Sequence, residues 1–216
     1  MTKEDTKLER QFHAACKELR ISETNRVGLT SVLAPLRNKH AVTHFHYAHS
    51  LRVGLLARQI GRFTYHDEKP LFFAGTLHDL GKCQTPIDIL GKTESWNSED
   101  QRAMQAHVMD GYNLLAGRFD VSAEIMLWHH KYQDDAYPKE LPPYRHKYKE
   151  TMRLLIREYG RIVALADVYD ALHRTDAKHG EKVTLTGKQI REKMFDYNPD
   201  RKILVEALYK AKIFTQ

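Results

Sequence analysis

The chain has 216 residues, 42% of them hydrophobic, and 34 Lys and Arg against 28 Asp and Glu give a formal charge of +6. This supports one sizeable core in a single domain with a small appendage, and the basic balance suits an anionic ligand such as a nucleotide, although solubility alone accounts for a charge of this size. No apolar run approaches the roughly 18 residues of a membrane span, the charged start Met1-Thr2-Lys3-Glu4-Asp5 is unlike a secretory signal, and the widely separated Cys16 and Cys83 form no disulfide framework, so a cytoplasmic protein without a membrane partner is expected.

Helical periodicity dominates the chain. Leu8, Phe12, Ala15 and Leu19 predict a helix over 5–20, and a second is predicted over 25–38, interrupted near Pro35. A long helix over 41–63 carries Val53, Leu56 and Ile60 in the row of His49. A short apolar helix over 69–79 begins near Pro70 and closes at Gly81, where glycine can take a left-handed cap. Ser98-Glu99-Asp100-Gln101 fits a capping box and opens a helix to about 117, with Gly117 as its stop. Asp120 or Ser122 caps the next helix, which runs to His129-His130. Pro138, Pro142 and Pro143 mark 131–150 as a loop directly after that pair. A helix over 151–173 follows, then a polar connector with weak extended character at 181–186, then helices over 187–195 and 200–211. No repeat or convincing strand interrupts the pattern, so an all-α fold is expected.

Thirteen histidines are an unusual number, and their placement carries the chemistry. His49, His78-Asp79, His107, His129-His130 and Asp167 each fall on, or at the end of, a predicted helix. Imidazole and carboxylate together suit Fe, Mn, Zn or Ni, and Asp79, with two oxygens, is the natural bridge between two cations. One histidine on one helix is more often a surface or hydrogen-bonded core residue. His13, His40, His44, His46, His66, His146, His173 and His179 are read that way, with His44 and His46 as weak outer candidates near His49.

The order and flanking residues of this array resemble the HD-domain metallophosphohydrolases, above all their HD-GYP branch. His49-Ser50-Leu51-Arg52-Val53 is similar to its His-x-x-Arg-Val opening, and Leu77-His78-Asp79-Leu80-Gly81-Lys82 to its His-Asp-x-Gly-Lys signature. Pro86-Ile87-Asp88-Ile89-Leu90, His107 with Gly111, Trp128-His129-His130, and Arg161-Ile162-Val163-Ala164-Leu165-Ala166-Asp167-Val168-Tyr169-Asp170-Ala171-Leu172 continue the likeness, which spans about 46 to 210. The resemblance implies a helical HD bundle over 41–216 around a binuclear metal site, with 1–40 as an N-terminal helical extension that caps the core or mediates homodimer contacts. It implies metal ligands at His49, His78, Asp79, His107, His129, His130 and Asp167, holding two divalent ions, Fe or Mn first and Ni or Zn as alternatives. It implies catalytic roles for Asp79, Lys82 and Asp170. Lys82 lies three residues past Asp79, where it can meet a phosphate; Asp170 shares a helix face with Asp167, its plainer reading being a surface carboxylate or a partner for Lys82. Arg52, Lys82 and Tyr137 are the expected substrate contacts.

Three departures bear on the substrate. The branch's loop runs His-His-Glu-Arg-x-Asp-Gly-x-Gly-Tyr-Pro. Here His129-His130-Lys131-Tyr132-Gln133-Asp134-Asp135-Ala136-Tyr137-Pro138 is one residue shorter, lacks both glycines and carries Lys131 in the acidic place. Phe45 stands where some members have a glutamate for a third metal, so two ions are expected. Asp176 and His179 occupy the places of an Arg and a Lys that contact phosphate, and Arg174 and Lys178 lie near enough to substitute.

The implied activity is a metal-dependent phosphodiesterase that hydrolyses a cyclic dinucleotide, cyclic di-GMP or a related one, by a metal-bridging hydroxide. The alternatives are an HD-type nucleotide phosphatase or triphosphohydrolase, a di-iron oxygenase, and a non-catalytic nucleotide-binding module. No aromatic–basic stripe recommends a nucleic-acid partner.

Overall fold

The computed structural model describes residues 3–37, 40–92, 95–173 and 184–215, so the expected phosphate contacts Arg174 and Lys178 lie outside the described residues, as do Asp176, His179 and the first half of 181–186. The described residues contain helices and turns without strands. In chain order these are α1 (Lys3–Glu18), α2 (Glu23–Leu33), α3 (Ala41–Phe63), α4 (Glu68–Leu77), α5 (Ile87–Leu90), α6 (Ser98–Gln105), α7 (His107–Leu115), α8 (Asp120–Met126), α9 (Glu150–Leu172), α10 (Gly187–Asp196) and α11 (Lys202–Lys210). Single 3-10 turns cover Leu80–Cys83 and Pro199–Arg201.

The bundle is organised around α4, whose residues from Leu71 to Leu77 are all buried. It packs most extensively against α3 and also touches α8 and α9. The α3–α4 crossing is close because Gly54 and Gly75 face it: a Cβ on Gly54 would lie 2.0 Å from Thr76 Oγ1, and one on Gly75 would lie 3.0 Å from the Gly54 Cα. Two apolar cores flank this axis. One joins Val53, Ile60, Leu71, Ile125, Ile162 and Leu165 to Met194, Val205 and Leu208 from the C-terminal helices. The other builds α1 and α2 into the bundle, setting Phe12, Leu29 and Leu33 against Phe72, Leu77, Leu115 and Met126. Phe12 stacks on Phe72 with ring centroids 5.2 Å apart.

Several helix ends differ from the sequence reading, for identifiable reasons. α2 stops at Leu33, two residues before Pro35, which has no amide hydrogen to continue the helical ladder. The capping box of α6 is formed by Asn97 and Asp100, not by Ser98 and Gln101: Asn97 Oδ1 accepts from the Glu99 and Asp100 amides, and Asp100 Oδ2 accepts from the Asn97 amide. The expected helix to 117 is interrupted at Ala106 and resumes as α7. The left-handed stop at Gly117 is present, with φ 74°. Asp120 is the first residue of α8 and binds the Gly117 amide, so neither it nor Ser122 is the cap. α8 ends at Met126, because the chain tightens there into 3-10 bonds from Trp128 N to Ile125 O and from His129 N to Met126 O.

Gly81 is the most instructive correction. α4 ends at Leu77, and Gly81 lies within the following 3-10 turn without positive φ. Its lack of a side chain serves close approach: a Cβ would fall 1.9 Å from the His107 carbonyl oxygen and 2.5 Å from the Gly111 amide nitrogen. The turn carrying Asp79 therefore rests on the first turns of α7. Gly81→Ala must separate them, and over-packing of this kind costs about 1–3 kcal/mol. We expect a lower thermal midpoint together with weakened divalent-metal binding, measured on the same preparation.

In the middle of α9, Arg161 is 1% exposed. Its guanidinium donates to Asp200 and to Asn198 Oδ1, tying α9 to the 3-10 turn before α11. Arg161 holds the Asp200 carboxyl below the usual carboxylate range despite an opposing effect of burial. A depressed folded-state pKa stabilises above the unfolded value, and that contribution is lost as pH falls through the folded one. Asp200→Asn should thus flatten this part of acid unfolding. At neutral pH it should cost about 1 kcal/mol, because Asp200 is half exposed and its pair is screened.

Candidate metal centre

His49 comes from the middle of α3, and His78 and Asp79 from the end of α4. His107 opens α7, His129 and His130 follow α8, and Asp167 lies in the last turns of α9. These segments converge on one buried cluster. His49 and His78 are 0% exposed, and Asp79, His107 and His129 are 1%. Their ligating atoms fall into overlapping groups within 4.8 Å: Asp79 with His107, His129 and His130; His49 with His78 and Asp79; and His78 with His129 and Asp167.

The two oxygens of Asp79 face different histidines. Oδ1 lies 3.3 Å from His107 Nε2, while Oδ2 lies 3.4 Å from His49 Nε2 and 3.5 Å from His78 Nε2. Asp167 Oδ1 adds contacts of 3.1 Å to His49 Nε2 and 3.6 Å to His78 Nε2. Helix geometry turns the rings inward. In His78, His107 and His129 alike, Nδ1–H donates to the carbonyl three residues back, Gly75, Met104 and Met126 respectively, at 2.8 Å for His78. This fixes the tautomer, so the Nε2 lone pair points into the cluster. Those three Nε2 atoms are buried and make no hydrogen bond. Unsatisfied buried nitrogens are costly, and a bound metal ion would satisfy them.

The charge states also suit metal ligation, which needs neutral imidazole and ionised carboxylate. Burial alone would raise the Asp79 carboxyl, but Lys82, His78, His107 and His49 hold it well below the usual carboxylate range. Asp167 is held down in the same way, by His49 and His78 against burial. Burial and neighbouring imidazoles push His129 down to about 3 and His130 well below the usual value. The donor set therefore fits divalent transition metals.

The remaining sequence-predicted residues are placed as follows. Lys82 Nζ donates to Asp79 Oδ2 at 2.5 Å, so its partner is Asp79 and not Asp170. Asp170 faces the outer side of His49: its Oδ2 accepts from Nδ1 at 2.7 Å. It also receives Arg52 through Nε at 2.6 Å and Nη2 at 3.0 Å. His49 and Arg52 keep its carboxyl below the ordinary range, again overcoming burial. Asp170 thus joins the cluster to the half-exposed Arg52. Tyr137, whose bond to Pro138 is cis, lies on His130 with centroids 4.4 Å apart. It also meets His107 edge-on at 6.1 Å. His44 is drawn instead to Asp5, 3.2 Å away. Phe45 is 37% exposed and has no ligating atom. The sequence reading missed Gln133, whose amide meets His130 Nδ1 at 2.9 Å. Only its position three residues past the second histidine hinted at a role.

The HD domain family matches residues 46–172, more than half of the chain. The chain belongs to the HD domain family. Among curated relatives, a Xanthomonas campestris protein named cyclic di-GMP phosphodiesterase response regulator RpfG is 36% identical over 124 residues, covering 55% of this chain and 30% of that protein. The Vibrio cholerae 3'3'-cGAMP-specific phosphodiesterase 2 is 35% identical over 126 residues, covering 56% of this chain and 22% of the relative. The matched stretch is thus less than a third of either relative. The HD domain of the Listeria monocytogenes phosphodiesterase PgpH superposes with a TM-score of 0.54 over 80% of this chain and 84% of its own, at 19% identity. That is a likeness of fold.

If Asp170 orients His49, Asp170→Ala should lower divalent-metal affinity by about 10- to 100-fold, as loss of a ligand's outer hydrogen-bond partner typically does. Competition against a chromogenic chelator measures it.

Proposed function

We propose that this HD domain is a binuclear metal-dependent phosphodiesterase acting on a cyclic dinucleotide, cyclic di-GMP or a related one, in the cytoplasm. The observation that carries the proposal is the division of the Asp79 carboxylate between two groups of histidines. In this reading Asp79 with His107, His129 and His130 would hold one ion, and Asp79 with His49, His78 and Asp167 would hold a second, with Fe or Mn favoured by the mixed imidazole–carboxylate set. Bound divalent cations supply Lewis acidity and activate water at neutral pH.

The chain's own residues do the rest. His78, His107 and His129 are pre-oriented by main-chain carbonyls, so little reorganisation accompanies metal binding. Access is one-sided. Tyr137 covers the His130 and His107 side, while the side chains of Lys82, Asp170, Asp167 and Arg52 retain 11%, 10%, 12% and 39% exposure. A phosphate approaching from that side meets Arg52 first, whose guanidinium edge turned away from Asp170 can donate to it. Lys82 lies deeper, on Asp79, where it can turn to a phosphoryl oxygen as charge develops. The relatives named as cyclic di-GMP and 3'3'-cGAMP phosphodiesterases support the substrate class, as does the PgpH domain solved with cyclic-di-AMP. The glycine-free 131–138 loop favours a related cyclic dinucleotide as strongly as cyclic di-GMP itself.

The test is turnover of a panel of cyclic dinucleotides, linear dinucleotides and nucleoside triphosphates by protein reconstituted anaerobically with Mn or Fe. We expect one cyclic dinucleotide to be cleaved and chelation to abolish the reaction. Asp79→Ala should abolish it too, by at least about 10³-fold. Lys82→Ala should keep the metal and lower kcat about 10²-fold, and Arg52→Ala should act chiefly on KM. Selective cleavage of a triphosphate or monoester would replace the phosphodiesterase reading with a nucleotide phosphatase. Tight cyclic dinucleotide binding without any turnover would replace it with a sensor.

A further inference from the structure

His130 differs from the other histidines of the cluster. His78, His107 and His129 are each held by the main-chain carbonyl three residues back, at the end of the preceding helix, and His49 by Asp170. No such support reaches His130, which follows the end of α8 in a turn. Its outer nitrogen meets a side chain instead, the amide of Gln133. Its ring face is covered by Tyr137, at 4.4 Å between centroids and an interplanar angle of 24°. The Tyr137 amide also reaches the His130 carbonyl, at 3.4 Å.

Something must keep Tyr137 in place, because the segment between has neither glycine nor regular structure. Lys131 does this. Its ammonium donates to the Pro138 carbonyl and, at 3.3 Å, to the Lys139 carbonyl, so the residue after His130 is fastened to the residues after Tyr137. An ammonium donating to two carbonyls closes the loop as a main-chain turn would, without needing positive φ. The position is cationic where the related HD-GYP loop is acidic, so this fastening belongs to this chain's own sequence.

We infer that Lys131, Gln133 and Tyr137 form a clasp that positions His130, with Lys131 holding the loop shut, Tyr137 fixing the ring plane and Gln133 selecting the ring tautomer. The inference rests on the metal site proposed above for its functional meaning, but the clasp itself is a property of the chain. The amide of Gln133 works in two ways. With its nitrogen toward Nδ1, Nδ1 accepts and the ring proton belongs on Nε2. A half-turn of the amide presents its oxygen, moves the proton to Nδ1 and frees the Nε2 lone pair. Lys131 and Gln133 are positioning residues; neither needs to touch substrate.

The decisive measurement is the imidazole nitrogen spectrum of the ¹⁵N-histidine-labelled full chain, metal-free and at neutral pH, with His130 assigned by His130→Asn. The wild type should show one dominant His130 tautomer. Gln133→Leu should draw the two His130 nitrogen resonances toward their mean while leaving those of His78, His107 and His129 in place. Lys131→Met should do the same, and Lys131→Arg, which keeps a cationic donor, should restore the wild-type lines. In a Zn²⁺ titration, Gln133→Leu and Lys131→Met should each weaken one binding event about 10-fold. His130 resonances that are identical in the wild type, Gln133→Leu and Lys131→Met would overturn the clasp. A wild-type chain that binds no divalent ion would overturn the metallohydrolase proposal instead, and the imidazole spectra would still decide the clasp by themselves.

Discussion

The geometry of the cluster depends on the position of one carboxylate. Asp79 stands at the junction of α4 and a 3-10 turn, and its two oxygens address histidines from different helices. The contact of Gly81 with the backbone of α7 holds that junction against His107, and the glycine-lined crossing of α3 and α4 holds it against His49. Backbone packing thus sets the separations that matter most, and the side chains then need only one rotamer each. A buried carboxylate among five imidazoles and an ammonium would be untenable in an apolar core. Here the surrounding donors keep it ionised despite the desolvation.

The cluster also explains why the fold can bury so much polarity at its centre. Fully buried ionisable groups are tolerated where they are paired or coordinate metals. His49, His78, Asp79, His107 and His129 lie between the two apolar cores, at the point where α3, α4, α7 and α9 come together. The carbonyl acceptors of three histidines are provided by the ends of the preceding helices α4, α6 and α8, whose last carbonyls have no partner within the helix. Helix termination and ring orientation are therefore the same structural event at Gly75, Met104 and Met126.

Much of this was legible in the sequence. Apolar periodicity located the long helices, and α3 runs over the residues expected of it, 41 to 63. The motif order around His49, His78-Asp79, His107, His129-His130 and Asp167 brought together residues far apart in the chain, because each motif lies on or at the end of a helix and the family match covers them. What stayed hidden depends on three-dimensional neighbours. Gly81 reads equally well as a left-handed cap or as a contact point, and only the approach of α7 decides between them. Lys82 could have paired with Asp79, three residues before it, or with Asp170 on α9, and the structure joins it to Asp79 while Asp170 is taken up by His49 and Arg52. The capping of α6 shifted by one residue because Asn97 accepts from two amides at once, a geometry that the Ser-x-x-Gln spacing next to it obscures. Gln133 and Lys131 follow no periodicity, so their contacts with His130 and Pro138 had no signal in the pattern.

The main-chain support of His78, His107 and His129 has a consequence for how this domain can diverge. A side-chain partner can be lost by one substitution, whereas a carbonyl acceptor persists through any substitution that leaves the helix end intact. Three rings of the centre are therefore insulated from sequence drift around them. The two that lean on side chains, His49 through Asp170 and His130 through Gln133, are the points at which neighbouring mutations can retune one half of the site while the other stays as it was.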